Sequence, residues 1–386
     1  VVNDPTYIPT RWQGTLLIIA SVIGIGLFNV FAAKHLPLAE GIFVTFHVFA
    51  FFPIIIVLLV LSPKQSAHDV FLNFTDNGGG WPNVGWATLV GQVSTMFVVL
   101  GSDSVAHMAE EIEDAGLIVP KSMVWTFLLN VPFTFGLLLT YLFCIGDVTQ
   151  ALASSTGFPF IYVFQNATGS VGGTTGMTIV ILLLLIMITI SSMASTSRQT
   201  FAFARDNGLP FSKWLGHVSA NPFIFTPPCH STYQLTQLAQ VHDTWHIPVN
   251  SIIFTCAFTI VMSLINIGST VAFNAILSLS TVALMATYVI SVGCVTLKRL
   301  RREPLPDSRW TLGRWGLPIN VTAFVYAIWS FFWSFWPNSM QVTAVNFNWA
   351  CVLFVGLMGI SGVLYAVHAR KVYEGPVVKV EGRKFN

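Results

Sequence analysis

The 386-residue chain is 54% hydrophobic and 9% charged, with a mean hydropathy of +0.71. A soluble domain carries about 25% charged residues, so a soluble fold would have nowhere to put this apolar surface. The net charge of +2 comes with no basic run interleaved with aromatics, which argues against nucleic acid, and the five scattered cysteines form no C-x-x-C, which argues against a zinc site or disulfide framework.

In chain order, residues 1–10 are a polar lead-in without the charged and apolar regions of a signal peptide. A spanning helix needs about 20 mostly apolar residues. Nine segments qualify or nearly do, near 13–33, 41–62, 84–113, 121–146, 173–204, 249–267, 272–297, 316–337 and 346–369. Trp12, Trp86, Trp315, Trp336 and Trp349 lie near their ends, as an interfacial aromatic belt does. With the N-terminus outside, sixteen of the eighteen Lys and Arg residues fall in cytoplasmic connections or the tail. Only Arg11 and Lys64 remain outside, a split that fits the positive-inside rule. Sequons at Asn73 and Asn166 then fall in the two longest outer loops and are candidates for glycosylation. An outer start without a signal peptide implies further helices upstream.

The third segment is interrupted. Its apolar run, 86–100, has 15 residues and covers about 22 Å, short of the roughly 30 Å hydrocarbon core. Gly101, Ser102, Asp103 and Ser104 follow, and a second helical piece over 105–113 would complete the crossing. Non-helical backbone at membrane depth persists only where protein or a water-filled cavity satisfies it, and secondary transporters build sites from such breaks. Free N–H groups opening the second half favour a carboxylate, and free C=O groups closing the first favour a cation. A zwitterion could use both. An intramembrane Asp103 is a functional candidate, and equally a candidate N-cap for the second half. His107 reads as a packed histidine or a proton relay. Glu110 and Glu111, in an acidic run with Glu113 and Asp114, form either a solvated face or a gate against Arg198 and Arg205.

Ser191, Ser192, Ser195, Thr196 and Ser197 crowd the inner half of the fifth span, for close packing or a permeation path. The aromatic run 326–336 reads as a lipid- or partner-facing belt. There is no Walker A motif, no metalloprotease motif and no nucleophile elbow, so no enzyme, catalytic residue, metal or cofactor is expected.

The stretches GSDSVAHMAEEIEDAGLIVPKSM (101–123) and STSRQTFAFARDNGLPFSKWL (195–215) carry a family resemblance, supported by 4–17, HIPVNSI (246–252) and 273–288. The chain resembles the fungal amino acid/choline (GABA) permease branch of the amino acid–polyamine–organocation (APC) superfamily. The resemblance implies an all-α polytopic membrane protein with the LeuT-like inverted-repeat fold. It implies twelve helices, the first five and the next five being inverted repeats, with the sixth broken where this chain has 101–104. The nine segments then correspond to family helices 4–12, and the chain is N-terminally truncated. Residues 1–62 close the first repeat, 63–297 form the second, and 298–386 hold two last helices and a cytoplasmic tail. Residues 219–240 have no counterpart in the family and read as a retained intron or an ordinary loop. The implied activity is secondary active transport of amino acids or small amines such as γ-aminobutyrate and choline, coupled to protons, in the plasma membrane. Phe97, Leu100, Gly101, Ser102, Asp103 and Ser104 would line the substrate site. The alternative is a non-transporting remnant or partner subunit, because the missing helices 1–3 would supply half of that site.

Overall fold

The computed structural model describes residues 7, 10–76, 78–98, 100–154, 156–217, 247–305 and 308–373, the side chains of Phe97 and Thr270 excepted. The segment 219–240 lies outside the described residues. Among those described, the chain is helical and forms no β-strand. The α-helices are α1 (Arg11–Phe31), α2 (Leu36–Leu61), α3 (Ala67–Phe71), α4 (Val84–Phe97), α5 (Ala115–Cys144), α6 (Val148–Leu152) and α7 (Pro159–Thr168). They continue with α8 (Val171–Arg205), α9 (Ser212–Leu215), α10 (Val249–Gly268), α11 (Thr270–Leu300), α12 (Gly316–Trp333), α13 (Ala350–Leu364) and α14 (Arg370–Val372).

Eight helical stretches are long and apolar enough to cross a membrane: Arg11–Phe31, Ala33–Leu61, Ala115–Cys144, Val171–Arg205, Val249–Gly268, Val271–Leu300, Gly313–Trp333 and Ala350–Val372. They match eight of the nine expected segments. Many of their side chains face outward, among them Leu17 (70% exposed), Val60 (72%) and Val355 (69%). Apolar faces of this extent need hydrocarbon around them. Pro53 in α2 and Pro120 and Pro132 in α5 sit inside helices, which neighbouring helices make tolerable in membrane proteins. The ninth segment is divided. α4 has 14 residues, and an eight-residue 3-10 helix, Ser104–Glu111, follows the break.

The residues fall into two compact units. The first comprises 1–14, 46–183 and 265–357. Its core cluster joins Ile54 and Leu58 of α2, Cys144 of α5, Val163, Phe164 and Ala167 of α7, and Met177 of α8. α4 packs on α12: Trp329 Nε1 donates to Gln92 Oε1 (3.0 Å), and the Trp86 ring lies 5.9 Å from those of both Trp333 and Trp336. α11 meets α12 at Gly293, where a Cβ would come 2.8 Å from the Phe324 ring. Arg309 Nη1 lies 2.6 Å from Asp114 Oδ1 and holds the residue that opens α5.

The second unit comprises 15–45, 184–264 and 358–386. Val30 of α1 clusters with Ile247, Val249 and Ile252 at the start of α10. The two helices approach closely at Gly26, where a Cβ would come 2.6 Å from Cys256 Sγ. Small residues permit such approach between membrane helices. Asn250 Nδ2 and Ser251 Oγ donate to the carbonyls of Trp214 (2.7 Å) and Leu215 (3.0 Å), tying α9 to α10.

Candidate functional site

The break between α4 and the 3-10 helix begins with backbone geometry. Asn83 caps α4, its side chain accepting from the Trp86 N–H at 3.2 Å. The helix ends at Phe97, and the turn pivots at Gly101, whose φ is +92°. L side chains rarely adopt that conformation. A Cβ on Gly101 would meet nothing within 4 Å, so glycine is required by the backbone rather than by crowding. The chain re-enters helix immediately: the Ser104 N–H donates to Gly101 O (3.0 Å) and the Ala106 N–H to Asp103 O (2.8 Å).

Two expectations are corrected here. Asp103 does not cap the second half through its side chain. Its φ of −83° and ψ of −6° are helical, whereas an N-cap side chain reaches the following N–H groups from extended backbone. Nor are all the N–H groups at this start open to a carboxylate, because the turn itself uses those of Ser104 and Ala106.

The Asp103 carboxylate is engaged elsewhere. Tyr288 of α11 donates its hydroxyl to Asp103 Oδ1 at 2.8 Å, and His107 Nε2 lies 3.7 Å from Asp103 Oδ2. The Asp103 and His107 side chains are 21% and 28% exposed, so the carboxylate is held but reachable. Leu100, Ser102 and Ser104 around it are half-buried, Gly101 is exposed, and the Phe97 side chain lies outside the described residues. A fixed, partly desolvated carboxylate beside a helix break suits a cationic group more than an anionic one.

Tyr288 was missed as a site residue, although it lies within one of the resembling stretches. The signal was its depth: a phenol far inside an apolar 31-residue helix must find a partner for its hydroxyl. On α8, Arg198 Nη1 donates to Ala194 O (3.2 Å) and Arg205 Nε lies 3.8 Å from Asp206 Oδ1. Glu110 and Glu111 end the 3-10 helix of the other unit. Among the described residues, no three His, Cys, Asp or Glu side chains are grouped to hold a metal ion.

Helical stretches of this length and polarity, with one divided by a break, define an integral multi-pass membrane protein. Residues 1–357 match the amino acid permease family, and the chain belongs to that family, one of transporters rather than enzymes. A protein of Macrophomina phaseolina named for amino acid/polyamine transport is 30% identical over 349 residues, 89% of this chain and 71% of that protein. The choline transporter of Saccharomyces cerevisiae is 25% identical over 96% of this chain and 61% of its own length. Amino-acid permease 2 of Neurospora crassa is 25% identical over 98% of this chain and 65% of its own length. The chain therefore spans between 61% and 71% of the length of these relatives.

Proposed function

We propose that this chain works in secondary active transport of amino acids or related small amines, γ-aminobutyrate and choline among them, in the plasma membrane and with proton coupling. The observation that carries the proposal is the Asp103 carboxylate, held at the helix break by Tyr288. In this reading the substrate's ammonium faces Asp103, and the backbone of 100–104 lines its path. The LeuT-like inverted-repeat arrangement, with these helices in the register of family helices 4–12, is part of the same proposal. The break in the segment that would be helix 6 supports it.

The test is a radiolabelled uptake panel in cells lacking their own permeases. Substrates with an ammonium or quaternary ammonium group are taken up, and anions without one do not compete. Asp103→Asn and Gly101→Leu abolish uptake at unchanged surface expression. Gly101→Leu acts through the +92° φ rather than through bulk. Normal uptake by either variant sinks the site. No uptake by the parent chain at full surface expression favours the non-transporting subunit instead.

A further inference from the structure

The second unit holds a carboxylate, Glu40, within the candidate span Ala33–Leu61 that the substrate site does not use. Glu40 lies on α2, six residues past Lys34 and five past His35, about 8–9 Å along the axis. Ser191 of α8 donates its hydroxyl to Glu40 Oε1 at 2.6 Å. It stands seven residues, about 10 Å, before Arg198. Both members of the pair thus lie well inside the basic ends of their helices, where a carboxylate is costly.

The hydroxyl has a second acceptor. Ser191 Oγ is also 3.3 Å from Met187 O, one turn back on its own helix. Its single proton therefore has two destinations. We infer that Glu40 and Ser191 form a proton-binding site that is satisfied in both protonation states. With Glu40 ionised, Ser191 donates to the carboxylate in a short, charge-assisted bond. When a proton from water binds the carboxylate, the new acid donates to Ser191 Oγ. The hydroxyl proton then turns to Met187 O. The carboxyl O–H forms as an O–H bond of hydronium breaks and water leaves, and the hydroxyl proton has an acceptor in either state.

The surroundings keep the pair in register. Asn29 of α1 is buried, and its Nδ2 donates to Ile25 O (3.1 Å) and to Ile190 O (3.3 Å), pinning α8 beside Ser191. From residue 12 to its end at Phe31, α1 carries no titratable residue, and α10 carries only Cys256. On α2 the next titratable residue is His47, two turns on. On α8 it is Arg198, whose Nη1 donates to Ala194 O. The role assigned to this proton, coupling to substrate, rests on the transport reading above; its binding does not.

Infrared difference spectra of the purified, reconstituted chain between alkaline and acid pH test the site. A protonated-carboxyl C=O band, sensitive to deuterium exchange, is expected on acidification. It is lost in Glu40→Gln. In Ser191→Ala, which keeps the acid but removes its partner, the band shifts in frequency. An acid-induced band unchanged in both variants, or absent from the parent chain, overturns the site. In proteoliposomes, Glu40→Gln loses accumulation driven by a pH gradient while substrate exchange persists. A parent chain that shows the band and moves no substrate supports the proton site and removes the transport reading.

Discussion

Asp103 and Tyr288 show how much one residue can depend on a partner 185 positions away. From its spacing, Asp103 was equally a helix cap and a site residue, and the same carboxylate cannot be judged without its neighbours. The structure separates the readings, because helical φ and ψ take the side chain away from the cap geometry and Tyr288 holds it. A hydrogen bond to a charged group contributes about 1.5–3 kcal/mol. Tyr288→Phe removes that bond and leaves the ring, so the carboxylate loses its orientation but not its charge. If Asp103 receives the ammonium, the KM for cationic and zwitterionic substrates rises by about ten- to a hundredfold. Surface expression stays unchanged, because the ring still packs. Kinetic uptake measurements decide this, and an unchanged KM would show that Tyr288 does not set the carboxylate's position.

At the level of elements, the long helices were legible because apolar runs of that length have one stable form in lipid. The end of the broken segment was less so. Its second half, expected as a helical piece over 105–113, is helical, as a 3-10 helix over Ser104–Glu111. Composition hardly separates i to i+3 from i to i+4 bonding over two turns. The connection after α5, expected simply as an outer loop, contains α7. The signals were there: Pro159 at the first turn, Gly169 with φ of 58° at the end, and Phe160, Val163, Phe164 and Ala167 at helical spacing. At ten residues it is too short to span, so a search for spans passes over it. α7 seats Val163 and Phe164 against Leu58, Cys144 and Met177, making this connection part of the first unit's packed core. Phe164 is 4% exposed, and Phe164→Ala is expected to cost about 3–5 kcal/mol by leaving a cavity. Asn166→Gln, on the exposed face of α7, is expected to cost almost nothing. Thermal unfolding of the detergent-solubilised protein compares the two; equal melting temperatures would mean that α7 is not packed as described.

For the whole molecule, the open number is how many times the chain crosses. Eight stretches qualify by length, while the sixteen-to-two charge split was obtained with nine crossings. The difference is the divided segment 84–111. α4 spans about 21 Å and the 3-10 helix adds about 16 Å, together enough for the roughly 30 Å core if both halves run the same way. Two connections report on this directly, because they flank the divided segment and α5. If the divided segment crosses, the connections 62–83 and 145–170 lie on one side of the membrane. If it does not, they lie on opposite sides. Leu72 (66% exposed) and Leu152 (62%) stand in these connections, and Arg301 lies just past the end of α11. In a cysteine-free background, Leu72→Cys and Leu152→Cys are both expected to react with an impermeant thiol reagent on intact cells. Arg301→Cys reacts only after permeabilisation, since the Arg-rich connection after α11 belongs inside. Labelling of only one of the two leucine positions would remove the ninth crossing. The carboxylate of Asp103 would then no longer lie on a path through the membrane, and the substrate site would have to be sought on the continuous helices.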